Sequence, residues 1–189
     1  MLGGSPIVTR PTGSSRLAPR SSRAWVTTGR VDVGLVYNPE AQPGLEIVPL
    51  LQEAMGLVSH APKGKRRLTA PLPMQELSRY RLIVPERVHA MRRLLETQAA
   101  LAGVKLDIAW EVSSVPSIIE LVCAGYGHAV LTASGVAASA RARELMIRKL
   151  VDPTPTSVLC LVTSAHKRPT PLTQRTMQLL TALARKLPT

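Results

Sequence analysis

The stretch Glu111–Thr132, EVSSVPSIIELVCAGYGHAVLT, decides the fold. Apolar and polar residues alternate from Leu106 to Val112, so this run reads as a strand ending at Glu111-Val112. Ser113 and Ser114 place hydroxyls where a helix needs acceptors for its first N–H groups. Pro116 fits the first turn, because the N–H it lacks would be unpaired there anyway. Ile118, Leu121 and Val122 lie three and four apart on one helical face. Gly125 supplies the left-handed residue that stops the helix, and His128–Leu131 restarts as a strand. A β-α-β crossover of this kind requires a parallel sheet. Serines opening a helix at the carboxyl end of a strand read in two ways: as caps alone, or as part of a small pocket suited to an anion.

The residues Glu111, Val112, Ser114, Ala124, Gly125, Gly127 and Val130-Leu131 resemble a run in the effector-binding domain of LysR-type transcriptional regulators. That run is an E-V-x-S segment, a short helix, A-G-x-G and a hydrophobic strand. The family usually continues with Leu-Pro, and this chain has Leu131-Thr132 instead. Upstream, Val31–Tyr37, closed by Asn38-Pro39, is similar to the family's G-x-L-D-x-A-I-V-Y-x-P strand. Leu45–Leu51 and Ala54–His60 read as two extended segments leading to a hinge. Pro71–Leu77 resembles the opening of the second lobe. The resemblance runs from Arg30 to the end of the chain, its texture closest to the subgroup that includes nitrogen-assimilation regulators.

Between and beyond these landmarks, residue patterns complete the outline. Leu82–Val84 reads as a strand closed by Pro85, and His89–Ala102 as a helix with Met91, Leu94, Leu95 and Ala99 inward and Gly103 as its stop. Ser134–Ala142 is a weak helix, Met146–Val151 a strand before Asp152-Pro153, and Ser157–Thr163 a buried strand. Thr170-Pro171 starts the last helix, with Leu172, Leu179, Leu180, Leu183 and Leu187 expected as its core face.

The resemblance implies a two-lobe α/β domain of the periplasmic-binding-protein kind (type 2), its first lobe incomplete. Residues 30–70 and 150–189 would form that partial lobe and residues 71–149 the second. Residues 1–29, rich in Ser, Arg, Pro, Thr and Gly, are expected to be a disordered basic segment. They hold no pattern for the winged helix-turn-helix that family members carry, so any DNA contact of that kind would lie outside this chain. Ser113 stands where relatives present a hydroxyl to a small effector between the lobes, with Ser114 as its capping neighbour. Pro85 and Arg87 open the other helix facing that crevice, and Ser59 lies on the strand crossing to the second lobe. The implied partners are a small-molecule effector, with anions the favoured class, and further copies of the chain.

Composition narrows the alternatives. A hydrophobic content of 45% is ample for a core, yet aromatics are 3% and Phe is absent, so aliphatic side chains must fill it. Few rings also argue against single-stranded nucleic acid, which stacks on them. The net charge of +12 keeps a basic nucleic-acid-binding protein open, acting through Met1–Arg30 and Lys63–Arg67. A stand-alone small-molecule-binding module is the other alternative, since a fold does not fix a function. Cys123 and Cys160 sit in apolar runs and are expected as buried free thiols. His60, His89, His128 and His166 lack metal-ligand spacing, His128 reading as a structural histidine, and no cofactor motif or catalytic arrangement is present, so no enzyme is expected. No apolar run approaches the roughly 20 residues that span a bilayer, and no secretory leader is visible, which makes the cytoplasm the expected compartment.

Overall fold

The computed structural model describes residues 26–61 and 70–187. The basic segment expected to be disordered lies mostly outside these residues, as does most of the basic loop at 61–69. The chain divides into two compact units: residues 53–157 form one, and residues 26–52 with 158–187 form the other.

The unit of residues 53–157 is a mixed sheet with helices on both faces. Strand β2 (Leu45–His60) delivers its second half here. Strands β3 (Leu72–Pro73), β4 (Arg81–Pro85), β5 (Asp107–Val112), β6 (Ala129–Thr132) and β7 (Leu145–Val151) complete it. β4 and β5 are parallel neighbours, and β4 meets the start of β6 through one parallel bridge, Leu82 to His128. β6 then runs antiparallel to β2, β2 antiparallel to β7, and β7 parallel to β3. The expected crossover is therefore present, with β4 lying between its two strands. The sheet around it is mixed, because β2 enters against the direction of β6.

Side-chain alternation sorts the core into two layers. Leu82 and Val84 of β4 join Met55, Leu57 and Val130 on one face. Helix α1 (Ala90–Leu101) covers them with Met91 and Leu95. Ile83, between those two β4 residues, points to the other face with Val58, Ala129 and Leu131. There helix α2 (Val115–Cys123) contributes Ile118, Ile119 and Val122. In the absence of Phe, both layers are largely aliphatic, the first with Met55, Met74 and Met91 added, and Cys123 is buried in the second as a free thiol.

Both helices end as their sequences require. Gly103 and Gly125 take positive φ of 67° and 80°. The N–H of Val104 reaches back to Ala99 O, and that of Tyr126 to Leu121 O, which closes each helix in a Schellman motif.

Where the resembling family has Leu-Pro, Thr132 caps the short helix α3 (Ala133–Ala137), its Oγ1 accepting from Gly135 N at 3.3 Å. Glu53, only 1% exposed, reaches the same turn from β2. It accepts from Ser134 N at 3.0 Å and from Ser134 Oγ at 2.7 Å. The register of β2 with β6 explains this: Met55 faces Thr132, so two residues earlier Glu53 faces Ser134, where the ladder has given way to helix. The weak helix expected over Ser134–Ala142 thus shrinks to Ala133–Ala137, followed by a 3₁₀ turn at Ala142–Glu144.

In the unit of residues 26–52 and 158–187, strand β1 (Val33–Tyr37) pairs antiparallel with β8 (Thr156–Ser164), and β8 lies beside β2. Asn38 ends β1 in the left-handed region, φ 44°, and keeps the pairing with its own side chain: Oδ1 accepts from Val158 N at 2.7 Å. Cys160 of β8 is the other buried free thiol. Two expectations are corrected here. Leu45–Leu51 and Ala54–His60 are not separate segments; β2 runs unbroken through both, Pro49 included. Proline is tolerated where its missing donor is not needed by a neighbouring strand.

The second correction concerns the last helix, α4 (Pro171–Ala184), capped by Thr170. Its leucine stripe does not face the core: Leu172 is 78% exposed and Leu183 59%, with Leu179 and Leu187 also exposed. The inward face is Thr173, Met177, Leu180 and Ala184, of which only Leu180 belongs to the expected set. Periodicity establishes that a helix has an apolar stripe; it does not say which of two adjacent stripes finds a neighbour.

Candidate functional site at the carboxyl ends of two parallel strands

Parallel strands end side by side, and the register of β4 with β5 places Pro85 opposite Val112. From each of these ends the chain turns directly into a helix. After Pro85, three residues lead to His89, the N-cap of α1, whose imidazole Nδ1 accepts from Met91 N at 3.4 Å. After Val112, Ser113 leads to Ser114, the N-cap of α2. Ser114 Oγ accepts from Ser117 N at 3.3 Å and lies 2.7 Å from Ser117 Oγ. Two helix starts, each with N–H groups that no preceding turn can satisfy, therefore sit at one edge of the unit. Neutral imidazole is required for the His89 cap. Burial, and then the charge of Arg93, hold its pKa below the usual histidine range.

The candidate residues separate within this geometry. Ser113 is exposed and carries no side-chain hydrogen bond among the described residues. Ser114 is committed to its cap. Pro85 is buried at the end of β4, while Arg87 is exposed in the turn beyond it, 3.9 Å from Glu96. These four gather at the carboxyl ends of β4 and β5.

Ser59 does not join them. It is 5% exposed, and its Oγ lies 2.7 Å from His128 Nδ1. His128 N donates to Arg81 O at the opposite, amino end of β4, about 13 Å along a strand of this length. The ring of His128 also meets Tyr80 edge-on at 5.0 Å, and burial lowers its pKa. It is a structural histidine, as its place at a strand start suggested.

One residue of this region escapes sequence reasoning. Arg92 of α1 is 1% exposed. Its guanidinium donates to Glu96 Oε1 at 2.8 Å and to Pro85 O at 3.3 Å, and lies 3.5 Å from Glu111 Oε2 on β5. The sole signal was negative: an arginine directly after Met91, beside the inward stripe of α1 rather than opposite it. Among the described residues no group of His, Cys, Asp or Glu is arranged to hold a metal, and no helix is long and apolar enough to cross a membrane.

This architecture has known counterparts. Residues 17–185 match the model of the LysR substrate binding domain. A curated relative, the HTH-type transcriptional regulator BbuR of Bordetella bronchiseptica, is 30% identical over 138 residues, covering 73% of this chain and 42% of BbuR. The chain thus spans less than half the length of that relative. Among solved structures, the Synechocystis PCC6803 CcmR regulatory domain in complex with 2-PG aligns with a TM-score of 0.72 at 20% identity, over 88% of this chain and 80% of that one. The effector binding domain of QuiR in complex with shikimate gives 0.68 at 16% identity, over 86% and 76%. CbnR, a LysR family transcriptional regulator, gives 0.67 at 23% identity, over 82% and 53%. At these identities the structural likeness speaks for the fold, and the match over residues 17–185 for descent: the chain belongs to the LysR substrate-binding-domain family.

Proposed function

We propose that this chain is the effector-sensing part of a transcriptional regulator and that it binds a small molecule at the carboxyl ends of β4 and β5. The observation that carries this is Ser113, an exposed hydroxyl at the strand edge where α1 and α2 both begin. Ligands of open α/β sheets dock outside the carboxyl ends of the strands, where helix N-termini offer donors to an acceptor-rich ligand. Ser113 would donate to the ligand, and Ser114 would hold the turn that presents it. Pro85 would fix the start of the facing turn, and Arg87 would supply a positive charge from the exposed side. Acids stand there too, Glu96 and Glu111 among them, so the ligand would carry neutral polar groups as well as an anionic one.

Related domains are solved with 2-PG and with shikimate, which supports a small, oxygen-rich acid as the class to try. Binding would shift the population of conformers, and an attached DNA-binding head would read that shift. Self-association and a place in the cytoplasm, where DNA is met, go with this reading. The test is a thermal-shift and calorimetric screen of small carboxylates and phosphates, followed by Ser113→Ala on whatever binds. Loss of one ligand hydrogen bond should weaken affinity by about tenfold. Unchanged affinity in Ser113→Ala would move the site elsewhere.

A further inference from the structure

We propose that Arg92 is the positioning residue of the Ser113 site: its buried guanidinium ties the carboxyl ends of β4 and β5 to α1 and so fixes the turn from which Ser113 projects. This rests on the effector reading for its purpose, though the positioning itself can be tested without a ligand.

Arg92 stands among the inward residues of α1, beside Met91 and Leu95, and a guanidinium there must give up nearly all its water. Burying a charge is costly unless it is paired and hydrogen-bonded. The pairing is made, and it reaches out of the helix. One nitrogen serves Glu96 within α1, and the other faces Pro85 O on β4 and Glu111 on β5. Pro85 lies two residues before Arg87, and Glu111 two before Ser113. A single cation thus meets both strand ends from which the two turns of the site depart.

Nε of Arg92 is buried with no hydrogen-bond partner, whereas a core position built for stability alone would hold a Met or Leu. Apolar replacements of buried ion pairs are often neutral or stabilising. Glu96 and Glu111 are partly exposed, so water can receive them if the cation is removed. Stability and site order are therefore expected to respond differently, which separates a positioning role from a merely structural one.

The experiment is amide hydrogen exchange on the whole chain, comparing Arg92→Met, Arg92→Lys and Glu111→Gln with wild type. The reporters are Ser117 and Ile118, whose N–H groups bond to Ser114, and the control is the β2–β6 ladder at Met55–Val58. The expected result is exchange about tenfold faster at the reporters in Arg92→Met and Glu111→Gln, with the ladder unchanged and Arg92→Lys intermediate. Reporters that stay at the wild-type rate, or that change by the same factor as the ladder, would overturn the proposal. Should Arg92→Met fail to fold, Glu111→Gln decides it, since that side chain is partly exposed. A parallel titration with inorganic phosphate separates the two claims. Phosphate binding to wild type that weakens in Glu111→Gln supports both. No binding by wild type counts against the effector reading alone, because the exchange result stands without it.

Discussion

Replacing Glu53 by alanine should be among the most damaging single changes in the unit of residues 53–157. The carboxylate is 1% exposed and receives both the backbone N–H and the hydroxyl of Ser134, itself buried at 4% exposure. Glu53→Ala takes the carboxylate away from both of these donors, at about 1–3 kcal/mol for each, the hydroxyl keeping Thr132 Oγ1 at 3.3 Å. It also removes the anion from the start of α3, so the sum expected is about 3–5 kcal/mol. Glu53→Gln keeps the shape and one oxygen acceptor and should cost about 1 kcal/mol. Urea unfolding measures these values through the midpoint at constant slope. A double-mutant cycle with Ser134→Ala should return a coupling of about 1.5–3 kcal/mol. A Glu53→Ala variant within 1 kcal/mol of wild type, or a coupling near zero, would refute the view that this carboxylate locks β2 to α3.

Other contacts carry consequences of the same kind. Ser114→Ala removes the cap of α2 and should lower stability by about 1 kcal/mol in urea unfolding, while Ser114→Asp, also a good cap, should preserve it. Burial lowers the pKa of both His89 and His128, so the unfolded chain takes up protons first on acidification. Their contribution is complete above the unfolded value of about 6.5 and is lost as pH falls through the folded values, so the urea midpoint should drop between pH 7.5 and 5.5. His128→Gln should flatten part of that slope. Finally, among the described residues β1 ends its row of strands with Leu35 40% exposed, and α4 turns Leu179 and Leu183 outward. Light scattering should show association that rises with concentration and is reduced by Leu35→Lys, because a charged edge strand resists pairing.

Much of this was legible because the signals are local. In Glu111–Thr132 each instruction is carried by one or two residues: alternation for β5, Ser114 and Pro116 for the start of α2, Gly125 for its end. Such features depend on backbone chemistry within a turn, so tertiary context has little room to override them. The less legible features depend on partners distant in sequence. Nothing beside Glu53 in the sequence points to a partner, and only the register of β2 against β6 brings it to Ser134. Arg92 gives no local sign of burial because two of its compensating groups, Pro85 and Glu111, lie on other elements. Ser59 looked available because nothing nearby in sequence announces His128 as its partner. The leucines of α4 were assigned inward because periodicity carries no information about which side meets a neighbour.

The alternation within β4 has a consequence for how sequences of this kind can change length. Leu82 and Val84 feed one oily layer while Ile83 feeds the other, so deleting any one residue between Arg81 and Val84 would transpose the two sets and send each side chain into a space shaped for its opposite. Substitution there is a question of volume, and loss or gain of a residue is a question of parity. Evolutionary insertions should therefore collect in connectors such as Ala102–Leu106 and leave the short central strand at its present count.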